Sequence, residues 1–264
     1  MSKTKKGFTI IEVMLFLGIT GLMLIGVLGG TYSTIERQRF SDSVRSYSEF
    51  LRTVYSEVIS PESFGEVDSA GVGNNQSSAV YGKVVTFGNP DDFNDHNIYT
   101  ATIVGDIYPS SDSDNFISQL GGVRARLYCG SNSAGKQIST TLEEYTPLWE
   151  AKIENTNKSP FAGTLIIARS PESGTVRAAY TDELKLNLPN QCQPTDNRAS
   201  VKFQEFLTDR FNNPASKFRT SGDLEFCVRS ANNRTVRGVN LLLESRNTSA
   251  ITMTSMDGED NKCR

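Results

Sequence analysis

The pattern of hydrophobic and polar positions divides the chain into three parts, and the first is apolar on every side. From Phe8 to Gly30 the sequence carries one charged residue, Glu12. A helix needs about 20 mostly apolar residues to cross a bilayer, so the pattern predicts a transmembrane helix over residues 8–30. The lysines before this run predict that the N-terminus stays in the cytoplasm and that the chain after the span lies outside.

The second part, residues 31–60, is amphipathic. Its apolar residues recur at alternating steps of four and three: Phe40, Val44, Tyr47, Leu51, Val54 and Val58. This spacing places one apolar stripe along a helix. We therefore expect a single helix to continue from the membrane span and to end before Pro61, because a proline disfavours helical conformation in the residue before it.

The third part, residues 61–264, alternates short apolar runs with clusters of turn residues, which predicts a β-rich globular domain. Strands that follow one another through short turns favour an antiparallel sheet, so the fold class we expect is α+β. A short helix is predicted over residues 199–211. The predicted strands cover residues 80–87, 98–104, 123–128, 148–153, 165–168, 176–180, 224–229, 235–244 and 250–256.

Composition narrows the function classes only slightly. About two hundred residues remain beyond the long helix, enough for one sizeable core or two small ones. The net charge of −3 argues against a dedicated nucleic-acid binder. No motif of a hydrolase, a phosphate-binding loop or a zinc protease is present, and His96 stands alone in an acidic turn. We expect no enzymatic activity and no cofactor.

The first residues resemble those of type IV prepilins and of the pseudopilins of type II secretion. Residues 1–7 form a short basic leader that ends in Gly7, Phe8 follows, and Glu12 is then the fifth residue of the mature chain. The resemblance implies a prepilin peptidase that cuts between Gly7 and Phe8 and then methylates the α-amino group of Phe8. It covers about the first fifty residues and says little about the rest.

Glu12 is the expected assembly residue, because a carboxylate inside an apolar span costs roughly 2.5–3.5 kcal/mol at mid-membrane depth. Pairing with the α-amino group of Phe8 on a neighbouring pilin subunit would remove both charges from lipid. The function implied is that of a structural subunit, a minor pilin or pseudopilin, which waits in the membrane and then packs into a surface filament. Many family members carry a proline near the end of the span, where this chain has Gly29-Gly30.

Other interpretations of the same residues are open. A secretory signal peptide would have a shorter apolar core, and a plain signal anchor would have no use for Glu12. From another class, the chain could be a membrane-anchored extracellular binding module without enzymatic activity, which binds DNA or a surface partner. Between Lys217 and Arg246, six cations outnumber three acids. Arg229, Arg234 and Arg237 among them could contact a phosphate backbone, although a solvated strand face explains the same residues.

All four cysteines lie beyond the span and none forms a C-x-x-C pair. In an exported domain they predict two disulfides, most simply Cys129–Cys192 and Cys227–Cys263, with free buried thiols as the alternative. Two acidic segments, residues 112–115 and 257–261, place oxygen ligands close together but lack the full pattern of a calcium loop. We therefore predict no metal site.

Overall fold

The computed structural model describes residues 9–60, 78–88, 96–106, 115–128, 142–192, 198–208, 217–232, 235–254 and 263. The chain divides into two compact units, residues 1–42 and 43–264. The helices are Ile10–Ile59 (α1), Phe116–Gly122 (α2), Leu188–Gln191 (α3) and Arg198–Thr208 (α4). The predicted α+β class is confirmed, with one long N-terminal helix and antiparallel sheets.

The strands form two sheets, and every pairing among the described strands is antiparallel. The strands are Ser78–Phe87 (β1), Ile98–Asp106 (β2), Arg126–Tyr128 (β3), Glu143–Tyr145 (β4), Lys152–Glu154 (β5), Thr164–Arg169 (β6), Val176–Thr181 (β7), Asp223–Arg229 (β8), Val236–Leu242 (β9) and Ile251–Met253 (β10). The first sheet has the order β3-β2-β1-β6-β7, with β4 pairing to β2, and the second has the order β10-β9-β8-β5.

The predicted single helix is confirmed, since α1 runs unbroken for 50 residues. The six residues of the predicted apolar stripe are all buried. Within the second unit, the Tyr47 ring meets the Phe226 ring of β8 edge to face at 5.6 Å. The amphipathic part of α1 beyond Asp42 therefore packs on the β domain through its apolar stripe, as the spacing predicts.

Helices pack against both sheets of the domain. Helices α2 and α4 cover the first sheet, where Phe116, Leu120 and Phe203 join a buried cluster with side chains of β1, β2 and β6. In the second sheet, Leu224, Phe226 and Val228 stand at alternate positions of β8 and are all buried, whereas Asp223 is exposed. Alternate positions of a strand share one face, and Phe226 on this buried face contacts Tyr47 of α1.

One close approach of backbones joins β1 to β6. Gly82 pairs with Ala168, and the register of β1 on β2 shifts at the same place, between Val80 and Gly82. A Cβ atom built on Gly82 would lie 2.2 Å from the carbonyl oxygen of Ile167. No residue other than glycine fits this contact without moving the strands.

The strand prediction for residues 148–153 is wrong in its first half. Leu148–Glu150 forms a short 3₁₀ turn in which Trp149 and Glu150 have left-handed backbone angles, and the strand begins only at Lys152. Helices α2 and α3 and strand β4 were not predicted. The predicted helix at 199–211 is α4, and residues 209–211 lie outside the described part of the chain.

The predicted Cys227–Cys263 disulfide is present, with 5.4 Å between the two Cα atoms. It ties β8 to residue 263. Cys192 is buried and also disulfide-bonded. Cys129 lies outside the described residues, so the Cys129–Cys192 pairing stays a prediction.

Candidate functional site

The N-terminal part of α1 exposes apolar side chains on all its faces. Their exposed fractions range from 46% at Ile35 to 79% at Ile10. By length and composition this is the one helix among the described residues that could cross a membrane. A helix that is hydrophobic all round belongs in an apolar environment, which is consistent with a single-pass membrane anchor.

The threonine hydroxyl groups of this segment are satisfied inside the helix itself. Thr20 donates to the carbonyl oxygen of Phe16 at 2.8 Å, and Thr31 donates to that of Val27 at 3.0 Å. A bilayer core offers no water to bond such groups, so polar atoms within it need internal partners. The threonines of the span are therefore compatible with lipid on every side.

Glu12 is held by a reciprocal capping box with Thr9. The Glu12 carboxylate accepts from the backbone N–H of Thr9 at 2.9 Å and from its hydroxyl at 3.0 Å. The Glu12 N–H donates in return to the Thr9 hydroxyl at 3.3 Å. Thr9 is the residue before the first helical position, where such a cap satisfies donors that have no partner within the helix. Glu12 thus has a local role at the start of α1.

The sequence carries a local signal for this cap, which the prediction of Glu12 as an assembly residue did not include. Thr9-Ile10-Ile11-Glu12 matches the pattern of a Ser or Thr followed three residues later by a Glu, placed before an apolar run. The predicted processing residues, Gly7 and Phe8, lie outside the described residues. The structure therefore brings Glu12 to Thr9, the residue that follows Phe8 in the sequence.

Four glycines of α1 leave its surface open to a neighbour. A Cβ atom built on Gly18, Gly21, Gly26 or Gly30 would meet no heavy atom within 4 Å. Small residues allow helices in a membrane to approach closely. Gly26 and Gly30, four residues apart, lie on the same side of the helix, and that side can therefore accept a second helix.

The cations that suggested DNA binding have partners within the domain. Arg229 donates from Nε to Glu154 at 2.6 Å, and both side chains are only 13% exposed. Arg237 donates from Nε to the backbone oxygen of Thr254, also at 2.6 Å. Arg234 lies outside the described residues. A phosphate would have to compete with the mostly buried carboxylate of Glu154 for Arg229, so the DNA hypothesis stays a prediction and gains no support from these contacts.

The described residues hold no group of three or more His, Cys, Asp or Glu side chains placed to bind a metal. Of the two acidic segments, residues 112–114 and 257–261 lie outside the part of the chain that the structure describes. His96 is described and lines a cleft with Asn97.

Comparison with protein-family models, with curated proteins and with solved structures gives no match to this chain. The observed organisation is a long apolar N-terminal helix followed by a β domain.

Proposed function

We propose that this protein is a structural subunit, a minor pilin or pseudopilin, of a type IV pilus or a type II secretion-like filament. The observation that carries the proposal is an N-terminal helix with apolar side chains exposed on every face and Glu12 at its start. The basic leader that ends in Gly7 before Phe8 supports it. On this proposal the domain lies outside the cytoplasmic membrane and reaches the cell surface in the filament.

An apolar helix surface must be shielded from water, and on this proposal two environments shield α1 in turn. Lipid covers α1 while the protein waits in the membrane. In a filament the helices of neighbouring subunits replace the lipid, and the open surface at Gly26 and Gly30 permits their close approach. The Cys227–Cys263 disulfide supports export, because such bonds persist in oxidising compartments.

The capping box and the proposed pairing in the filament are compatible. An ionised carboxylate has two oxygens and about four acceptor positions. Glu12 uses Oε2 for Thr9, which leaves acceptor capacity for the α-amino group of Phe8 on a neighbour. The cap fixes the orientation of the carboxylate before the neighbour arrives.

Glu12 variants test the proposal by separating the charge from the cap. Glutamine also serves in a capping box, so Glu12→Gln keeps the cap and loses the charge, whereas Glu12→Leu loses both. We expect both variants to be processed normally and to be present in the membrane pool. Their amount in sheared surface filaments should be several-fold lower than that of wild type. Immunoblots of the two fractions measure this, with mass spectrometry of the mature chain.

Thr9→Val is the matched control, because it removes the capping hydroxyl and keeps the charge of Glu12. It should assemble at close to the wild-type level. If Glu12→Gln assembles as well as wild type while Glu12→Leu does not, Glu12 acts only as a cap and the pairing is wrong. A mature chain that begins at Met1, instead of at an N-methylated Phe8, would overturn the family assignment itself.

A further inference from the structure

Two turns of the domain carry the sequence pattern Asn-x-Ser, in which x is not proline. They are Asn157-Lys158-Ser159, between β5 and β6, and Asn247-Thr248-Ser249, between β9 and β10. The pattern also occurs at Asn75 and, with threonine, at Asn233, and both of these asparagines lie outside the described residues. In a secreted protein this pattern is the acceptor for an N-linked sugar and belongs to surface turns.

The first turn places Asn157 at its exposed tip. The backbone N–H of Lys158 donates to the carbonyl oxygen of Asn155 at 2.9 Å, and the N–H of Asn155 donates to that of Ser159 at 2.8 Å. These two bonds close a tight loop directly after β5. Asn157 is exposed, so an enzyme can reach its side chain while the domain stays folded.

The second turn presents Asn247 in a similar way. Asn247 is exposed and directly precedes the short 3₁₀ turn Thr248–Ala250, after which β10 begins. Its side chain bonds only within the turn, to Ser249 and to the hydroxyl of Ser245 at 3.3 Å. The core of the domain therefore does not depend on the amide group of this asparagine.

Both turns lie at the same end of the second sheet. Strand β9 ends at Leu242, which pairs with Asp223, the first residue of β8. Strand β5 runs antiparallel to β8, and its last residue, Glu154, pairs with Cys227. The chain therefore leaves β5 in the direction of Asp223, and the two asparagines are presented at one end of the domain.

The two asparagines share one hydrogen-bond arrangement. Oδ1 of Asn157 accepts from the backbone N–H of Ser159 at 3.1 Å and from its hydroxyl at 2.6 Å. Oδ1 of Asn247 accepts from the backbone N–H of Ser249 at 3.0 Å and from the hydroxyl of the same serine. In the part of the chain that the structure describes, neither Nδ2 atom donates a hydrogen bond. The amide oxygens are thus occupied, and the amide nitrogens are available for a new bond.

We propose that Asn157 and Asn247 are acceptor sites for an N-linked sugar that is attached outside the cytoplasmic membrane. In this reaction Nδ2 loses one proton and forms a bond to C1 of a sugar that is activated as a glycosyl pyrophosphate. The pyrophosphate leaves with the electrons of its bond to C1. The two hydrogen bonds to Oδ1 stabilise the negative charge that this oxygen gains when the proton leaves. The proposal rests on the export of the domain, which the filament function proposed above requires.

Turn formation alone does not require asparagine at these positions. Aspartate and serine accept the same kind of hydrogen bond in a turn, but neither has an amide nitrogen. Asn155 provides a contrast within the first turn. Its Nδ2 donates to the hydroxyl of Ser159 at 3.2 Å, and the residue two positions after it is Asn157, not a serine or threonine. Asn155 should therefore carry no sugar.

Mass spectrometry of the protein from its own cells tests the proposal. The protein is taken from surface filaments and from the membrane, digested, and fragmented by electron transfer, which leaves a sugar on the residue that carries it. We expect the added mass of whole sugar units on Asn157 and Asn247 and none on Asn155. The same digest identifies the first residue of the mature chain.

Serine variants separate the acceptor pattern from the asparagine itself. Ser159→Ala keeps Asn157 but removes the hydroxyl, so it should abolish the sugar there and leave the sugar on Asn247. Ser249→Ala should have the converse effect. Ser159→Thr keeps a hydroxyl and should be modified like wild type. Asn155→Gln is the matched control in the same turn and should leave both sugars in place, with circular dichroism to check that each variant is folded.

The proposal is overturned if Asn157 and Asn247 are both unmodified in protein that begins at Phe8 and comes from filaments, and the filament function then stands. A site that alone stays unmodified is likewise refuted, as is the asparagine assignment if the sugar is found on the serine hydroxyls. A sugar on a chain that still begins at Met1 would support this proposal and overturn the filament function. An unmodified chain that begins at Met1 would overturn both.

Discussion

At the scale of the residue, Arg169 has a role that its position in β6 does not suggest. It donates from Nε to the carbonyl oxygen of Val58 at 3.0 Å and from a terminal nitrogen to that of Ile59. Helix α1 carries no basic residue in its last turn, and the last carbonyls of a helix have no partner within it. The guanidinium of a distant strand supplies both the hydrogen bonds and the positive charge that a helix C-terminus favours.

Arg169→Met should therefore destabilise the domain by about 1.5–3 kcal/mol, the usual worth of hydrogen bonds to a charged group. Arg177→Met on β7 is the matched control, because Arg177 is exposed, and it should change stability little. Denaturant unfolding of the purified protein measures both. Equal effects of the two substitutions would show that Arg169 does not close the end of α1.

At the scale of the element, secondary structure was predicted correctly where a hydrophobic periodicity was long. The prediction failed where backbone geometry, and not residue type, determines the local structure. The stripe that contains Val44 and Leu51 repeats over five turns, and no other element explains it. Strand β4 carries exposed Glu143 and Glu144, so it has no apolar run to detect. The turn at Trp149 contains an aromatic residue, a type that is enriched in strands, and its left-handed angles depend on the fold around it and not on residue type.

The candidate assembly site shows the same division. The apolar span and Glu12 could be predicted from sequence because each is a local pattern. The Thr9–Glu12 cap was equally local and could have been found. The pairing of Arg229 with Glu154, in contrast, joins β8 to β5. No sequence pattern indicates that these two strands are neighbours, so the sequence alone left Arg229 as a cation that could contact a phosphate.

Gly82 gives an element-scale prediction for the junction of β1 and β6. Gly82→Ala should destabilise the domain by about 3 kcal/mol or more, because the new Cβ would meet backbone atoms of Ile167 and Ala168 and backbone does not move aside as a side chain does. Thermal melts followed by circular dichroism measure the effect.

Gly222→Ala is the control for this prediction. Gly222 has φ +79° and open space around it, so the substitution should cost only about 1–2 kcal/mol, from the left-handed backbone. If both variants lose the same stability, the contact between β1 and β6 is not what requires glycine at position 82.

At the scale of the whole molecule, buried tyrosines couple stability to alkaline pH. Tyr47 and Tyr55 are fully buried, and within the part of the chain that the structure describes their hydroxyls have no hydrogen-bond partner. Burial raises the pKa of both. Burial also raises the pKa of Tyr180 to about 12, with a smaller contribution from the charge of Asp182. Burial lowers the pKa of Lys83, but its bonds to Glu57 and Glu143 raise that pKa overall.

The raised pKa values of all four groups have the same consequence, which is that the folded protein loses stability as pH rises. Tyrosine in the unfolded chain ionises near pH 10, whereas the folded protein holds these protons to higher pH. Above about pH 10 the unfolded state releases protons first, so stability should fall steadily as pH rises. Denaturant melts between pH 8 and 12, with tyrosine ionisation followed by absorbance, measure this. Ionisation of every tyrosine near pH 10 without unfolding would contradict it.

Tyr55→Phe provides the matched variant. It removes a buried hydroxyl that has no partner among the described residues, and such a group costs about 1–3 kcal/mol. The variant should be more stable than wild type at neutral pH and should lose less stability on the way to pH 12. A variant less stable than wild type at pH 7 would show that the hydroxyl has a stabilising partner.

The order of strands in the two sheets affects how fast the domain folds and how readily it aggregates while folding. Hairpins such as β1–β2 and β6–β7 join neighbouring segments, but β1 must also find β6, and β5 must find β8, across long stretches of chain. Closing such long loops costs entropy and slows folding. Until Gly82 reaches Ala168, the inner edges of two finished hairpins stay unpaired, and open edges invite aggregation. A newly made chain is therefore most prone to aggregate after its hairpins have formed and before β1 has paired with β6.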